Sequence, residues 1–105
     1  MGSKKFIIKK LREFKENLKN KIYVNKVIFF GSRAWGKPHK DSDIDLIVVS
    51  KNFEGKKFRK RAIGFYNYWD LNYPVDFLCY TPEEFHKLSR QITIVKEAAE
   101  NGIEI

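Results

Sequence analysis

The chain has 105 residues, enough for one compact core and too few for two. With 32% charged residues it has an ordinary globular composition, and no apolar run approaches the roughly 20 residues that cross a bilayer. Twenty-one Lys and Arg against thirteen Asp and Glu give a net charge of +8, concentrated in Lys4 to Lys26 and Lys51 to Arg61; that balance is read equally as a surface that concentrates anions or as a solvated lysine-rich face, and it identifies no partner.

The start, Met1 to Phe6, has neither the apolar stretch nor the cleavage site of a signal peptide, and Phe6 breaks the myristoylation pattern. Cys79 is the sole cysteine, so no intrachain disulfide forms and a reducing cytoplasm is expected. With no repeat or linker, one domain is expected over residues 1–105.

Ile7, Leu11, Phe14 and Leu18 recur at helical spacing and predict an amphipathic helix over 4–20. A strand follows over 22–30, strongest at Val27 to Phe30. Gly31 ends it, and Ser32 is placed to cap a short helical turn. Gly36 to Asp41 reads as a loop, Asp43 to Val49 as a second strand, and Ser50 to Gly55 as a polar turn. Phe58, Ala62, Phe65 and Trp69 predict a second helix over 56–69, weakened by Gly64 at a cost of about 1 kcal/mol. After the Asn72-Tyr73-Pro74 turn, Val75 to Tyr80 is a third strand. Thr81, Pro82 and Glu84 form a helix start with a capping box. A separate helix carries Ile94, Val95, Ala98 and Ala99, with Gly102 at its end and Ile103 to Ile105 as a short edge strand or a frayed end. This order predicts an α/β (α+β) fold in which helices pack on a small sheet.

The chemistry concentrates at strand beginnings. Asp43 and Asp45 are two residues apart, so on a strand they share a face, roughly 6.5–7 Å apart. Asp76 opens the third strand, and if that strand lies beside the second, all three carboxylates converge. Hard oxygen ligands of this kind suit Mg²⁺ or Mn²⁺, and two ions can clamp the attacking and leaving oxygens of a phosphoryl displacement. Gly31 lets a phosphate approach the backbone, Ser32 and the start of the turn supply donors, and Arg33 adds a charged one. Each element alone is common in strand edges and turns; their conjunction is what points to a metal-and-phosphate site.

The spacing from Gly31-Ser32 through ten residues to Asp43-Ile44-Asp45 resembles the signature of the polymerase-beta-like nucleotidyltransferase superfamily. Residues 29–36 and 41–49, FFGSRAWG and DSDIDLIVV, with Val75 to Leu78 later, are similar to the minimal nucleotidyltransferase domain proteins, found as antitoxins beside HEPN-domain toxins. The resemblance implies a nucleotidyltransferase fold with a mixed sheet and Mg²⁺-dependent transfer of AMP from ATP, with pyrophosphate released. It implies that Gly31 and Ser32 hold the triphosphate, that Asp43 and Asp45 ligate two metal ions, and that Asp76 joins them and helps deprotonate the acceptor. The implied acceptor is a tyrosine of a cognate HEPN toxin, which AMPylation silences. This chain departs from the pattern at Trp35, where many relatives carry a second Arg; Arg33, Lys37 or Lys40 would take over any phosphate contact.

Other patterns fit less well. Gly31-x4-Gly36-Lys37 approaches a phosphate-binding P-loop, but Pro38 stands where a Ser or Thr should reach Mg²⁺. His39 and His86 lack zinc-site spacing, although His39 is near enough to the loop to touch substrate. Cys79 reads as a small buried hydrophobe, and Tyr66, Tyr68 and Tyr73 either as stacking or docking aromatics or, equally, as ordinary packing at a helix end. A non-catalytic antitoxin that neutralises its partner by contact is the alternative function. Direct nucleic-acid binding rests on charge alone. Larger nucleotidyltransferases append a domain for the acceptor, so here a second chain, in a homodimer or hetero-oligomer, is expected to complete the acceptor site.

Overall fold

The computed structural model describes residues 4–36 and 42–105. Among them, four strands form one mixed sheet in the order β3-β2-β1-β4, where β1 is Lys26–Phe30, β2 Ile44–Val49, β3 Val75–Tyr80 and β4 Ile103–Glu104. β1 runs antiparallel to both β2 and β4, while β2 and β3 are parallel. A parallel pair needs a crossover, and residues 50–74 supply it.

Helix α1 (Lys4–Leu18) lies on one face of the sheet. Its predicted stripe, Ile7, Leu11, Phe14 and Leu18, is fully buried against Val27, Phe29, Leu46 and Val48, each side chain contributing about 1.5–3 kcal/mol. The opposite face carries Ile28, Phe30, Ile47 and Val49 and is covered by α3 (Pro82–Leu88) and α4 (Ile94–Asn101), which add Phe85, Leu88, Val95 and Ala98. Both faces of β1 and β2 are thus buried, which is why these strands read as unbroken apolar runs.

The capping box forms as expected: the Glu84 N–H donates to Thr81 Oγ1 at 3.1 Å, and the Thr81 N–H donates to the Glu84 carboxylate at 2.9 Å. Gly102 ends α4, and a Cβ there would collide with the Ala98 carbonyl and Ile28. The terminal strand pairs with β1 through Glu104 opposite Ile28. Among the described residues, no helix is long and apolar enough to cross a membrane.

The helix expected over 56–69 does not form. The segment is built from 3-10 turns at Phe58–Lys60 and Phe65–Tyr68, separated by Gly64 at φ +89°. That left-handed residue cannot continue a right-handed helix. Phe65 still reaches the core, but Phe58 is half exposed. The first strand begins at Lys26 rather than 22, its pairing introduced by the Asn25 N–H on the Val49 carbonyl at 2.8 Å.

What fixes this crossover is Arg61, which lay unnoticed in a basic run. It is buried, and its Nε donates to the Lys56 carbonyl at 3.0 Å. Its Nη1 donates to the Cys79 carbonyl of β3 at 3.1 Å, and the guanidinium grips both Glu84 oxygens. The first of those bonds closes the turn and the others pin it to the β3–α3 junction. Hydrogen bonding to Arg61 holds the Glu84 carboxyl below its ordinary range.

Candidate active site

The sheet register brings the predicted site residues to one end. Phe30, the last residue of β1, pairs with Asp45, and Asp45 pairs with Asp76 on β3. Gly31 therefore emerges where the two acidic strands begin. The Ile44 N–H donates to the Pro74 carbonyl at 2.8 Å, extending the pairing one step beyond β3. Asp45 and Asp76 project from the α3–α4 face, since their strand neighbours at alternate positions, Ile47, Val49, Leu78 and Tyr80, belong to that apolar cluster. Asp43 lies just outside β2 and is exposed, as is Asp76, while Asp45 is half-buried.

Asp45 is the electrostatic focus. Its pKa is raised above the ordinary 3.8, first by burial, then by the charge of Asp76, then by that of Asp43. Burial disfavours the carboxylate and two like charges add to the penalty. A nearby cation would relieve all three effects, so the donor chemistry fits a hard divalent ion. Among the described residues no three acidic, histidine or cysteine side chains are placed to hold one metal ion together. Mg²⁺ ordinarily takes only one or two carboxylates and fills its shell with water and substrate phosphates, so this arrangement remains compatible with it.

Gly31 is the site's second distinctive residue. Its φ of +84° and ψ of −171° fall in a region essentially reserved for glycine. A Cβ on Gly31 would overlap the Asp45 carboxylate oxygen. The close approach anticipated for a phosphate is therefore also an approach to Asp45. Gly31, rather than Ser32, occupies the cap position of α2 (Ser32–Trp35), and no side chain caps the turn; the Gly31 carbonyl accepts the Ala34 and Trp35 N–H groups at 2.9 and 3.2 Å. Ser32 is the first helical residue and is exposed. The glycine's backbone makes the turn, leaving the Ser32 hydroxyl unused as a cap.

Arg33 lies with its guanidinium 4.4 Å from the centre of the Tyr73 ring, and its Nε donates to the Ser42 carbonyl at 2.6 Å. It thereby ties the Gly31–Ser32 turn to the residue before Asp43 and to the turn that precedes Asp76. Tyr73 as its stacking partner was not foreseen, because sequence gives no sign of which aromatic an arginine will meet. Trp35 packs its ring on Phe30 at 6.3 Å between centroids and is 40% exposed. Residues 37–41, with Lys37, Pro38, His39 and Lys40, lie outside the described residues.

The remaining candidates sort simply. His86 is exposed on α3. Cys79 is buried and its thiol is pushed up to about 12 by burial, which makes it a packing residue rather than a nucleophile. Tyr68 is half-buried on the core. Tyr66 is exposed, its ring against Phe77 and its hydroxyl 3.5 Å from the Val75 carbonyl beside Asp76.

Comparison with known proteins shows what the chain as a whole is similar to. The sequence profile described as a nucleotidyltransferase domain matches residues 9–101. A Haemophilus influenzae protein that carries the name protein adenylyltransferase MntA is 34% identical over 77 residues, which span 71% of this chain and 68% of that protein. A Methanocaldococcus jannaschii protein, also named as a protein adenylyltransferase, is 25% identical over 101 residues, 94% of this chain and 98% of its own length. In structure, the chain resembles a Sulfolobus solfataricus protein described as a nucleotidyltransferase. The TM-score is 0.67 over 96% of this chain and 80% of the other, and at 22% identity this likeness speaks for the fold.

Proposed function

The chain belongs to the nucleotidyltransferase domain family, and from that premise we propose that it transfers AMP from ATP to a hydroxyl of a partner protein, using Mg²⁺. The observation that carries the proposal is the pairing of Asp45 with Asp76 in register, with the Asp45 carboxylate lying where a Cβ on Gly31 would be. The two relatives named as protein adenylyltransferases support a protein acceptor.

In the proposed reaction the acceptor oxygen forms a bond to the α-phosphorus of ATP. The bond from that phosphorus to the bridging oxygen breaks, and pyrophosphate leaves. Asp43, Asp45 and Asp76 would hold two divalent ions between them, with water and substrate phosphates filling the shells; bound there, Mg²⁺ would offset phosphate charge and lower the pKa of the attacking hydroxyl. Asp76 is exposed and pairs in register with the half-buried Asp45, and it is the carboxylate we assign to meet the acceptor and receive its proton. Gly31 would offer the triphosphate backbone with no side chain of its own, and Ser32 an exposed hydroxyl to donate to it. Arg33 keeps the three segments aligned and adds positive charge behind them.

The proposed acceptor is a tyrosine of a cognate HEPN-domain toxin, and the pair would act as toxin and antitoxin in the cytoplasm. The acceptor site would be completed by that second chain. The test is incubation with α-labelled ATP, Mg²⁺ and the protein encoded next to it in the genome. Label on the partner's tyrosine, lost with Asp43→Asn or Asp45→Asn and absent with γ-labelled ATP, supports the reading. A neutralised partner that carries no label would instead make this chain an antitoxin that works by contact.

A further inference from the structure

At the end of the sheet opposite the acidic residues lies a concavity with a volume of about 460 Å³. Lys21 and Ile22, which lead into β1, form one side, and residues between Gly55 and Ile63, which follow β2, form the other. Register sets its distance from the acidic site. Val49, the last residue of β2, pairs with Lys26 at this end, while Asp45 pairs with Phe30 at the other. The six-residue strand β2 separates the two ends by roughly 17 Å at about 3.3 Å per residue. A triphosphate held at Gly31 would not reach the cleft.

Four lysines, Lys21, Lys56, Lys57 and Lys60, line this cleft. Among the described residues none of the four forms an ion pair, although other basic residues do. Glu54, the acidic residue of the same turn, is exposed and pairs with none of them. Arg61 also borders the cleft, but its guanidinium is committed to Glu84 and to the Lys56 and Cys79 carbonyls. Its bond to Lys56 fixes the turn that brings Lys56, Lys57 and Lys60 round one opening, with the Lys60 N–H on the Lys57 carbonyl at 2.9 Å. The four lysine charges are thus gathered on a restrained backbone with no ion-pair partner among the described residues, while the charges of Glu54 and Glu84 act on Arg61.

We infer that this cleft binds an oligophosphate, meaning two or more linked phosphate groups, either free or in the backbone of RNA. The available donors are all ammonium groups, which bind phosphate as point charges, while the Arg61 fork, which matches carboxylate and phosphate alike, is already occupied. A free oligophosphate brings several charges on adjacent groups, and an RNA strand one charge per nucleotide along a continuous backbone, so either presents more than one charge to the four cations. Among the described residues the lining contains Ile22 and the exposed Ile63 but no aromatic ring, so the cleft reads phosphates and is indifferent to the base. This site is independent of the transfer reaction.

The full chain is titrated calorimetrically with inorganic tripolyphosphate in EDTA, where the acidic site, lacking a divalent ion, repels phosphate. Binding of labelled single-stranded RNA is followed by anisotropy. Lys56→Ala/Lys57→Ala/Lys60→Ala is expected to weaken both ligands about ten- to a hundredfold, and Lys57→Glu alone to weaken them measurably. The charge-matched control Lys5→Ala/Lys9→Ala/Lys87→Ala is expected to bind within about twofold of the parent, and AMP transfer by the cleft variants to stay unchanged. The ratio of the two affinities identifies the source of the phosphate, and either ratio supports the site. Equal loss in both triple variants, displacement by polyglutamate as readily as by tripolyphosphate, or no binding at all would overturn it.

Discussion

Replacing Gly31 by alanine tests how the site is built. The residue holds φ +84° and ψ −171°, a conformation that costs a non-glycine residue about 1–3 kcal/mol. The new methyl group would also overlap the Asp45 carboxylate, and pushing that side chain from its rotamer adds about 0.5–1.5 kcal/mol. Together these predict destabilisation of about 2–4 kcal/mol, a large share of the roughly 5–15 kcal/mol that holds a small domain together. Urea unfolding measures it directly, and the melting temperature should fall by about 8–16 °C. The two components separate in a double-mutant cycle: in an Asp45→Ala background the collision disappears, so Gly31→Ala should cost about 0.5–1.5 kcal/mol less. Below the melting temperature the folded Gly31→Ala protein should still lose about a hundredfold in AMP transfer, because Asp45 is displaced by about 1 Å or more. A variant with parental stability and parental transfer would refute both the backbone requirement and the Gly31–Asp45 contact.

Three further predictions rest on other parts of the molecule. Folding raises the pKa of Asp45, so the native state binds its proton more tightly than the unfolded state, and stability falls as pH rises above 3.8 through the higher native value. In EDTA at neutral pH, Asp45→Asn should therefore melt higher than the parent, with the advantage shrinking as pH is lowered towards that ordinary value; an unchanged or lower neutral melting temperature would contradict the electrostatic account. Arg61→Ala should cost about 3 kcal/mol in urea unfolding, the low end for breaking a buried pair because Glu84 keeps water access. Arg61→Lys should recover little of that, since an ammonium cannot serve Lys56, Cys79 and Glu84 together. If Arg33 aligns the site rather than binding phosphate, Tyr73→Ala should reproduce the kcat loss of Arg33→Ala with little change in KM for ATP; a defect confined to Arg33→Ala and to KM would make Arg33 a phosphate ligand instead.

Much of this architecture is written in local pattern. The stripe Ile7, Leu11, Phe14 and Leu18 is buried residue for residue, and the Thr81–Glu84 box forms with both of its hydrogen bonds. The ends of β1, β2 and β3 follow from apolar runs bounded by Gly31, Asp43 and Pro74. Apolar spacing misled at 56–69 because Phe58, Ala62, Phe65 and Trp69 mimic a helical face, while Gly64 and the side chain of Arg61 decide the backbone. Arg61 was illegible because its partners, the Cys79 carbonyl and Glu84, lie 18 and 23 residues away. The same limit hid Tyr73 from Arg33. The convergence of Asp45 with Asp76 required knowing that β3 pairs with β2, a nonlocal fact that the strand pattern permits but does not dictate.

The most direct measurement is a single-turnover assay of label transfer from α-labelled ATP to the copurified partner, with the parent and with Asp43→Asn, Asp45→Asn and Asp76→Asn, each in Mg²⁺ and in EDTA. The account predicts transfer by the parent in Mg²⁺ alone and a loss of at least about a hundredfold in each variant, with folding intact by circular dichroism. Full transfer by Asp45→Asn, or transfer by the parent undiminished in EDTA, would contradict it.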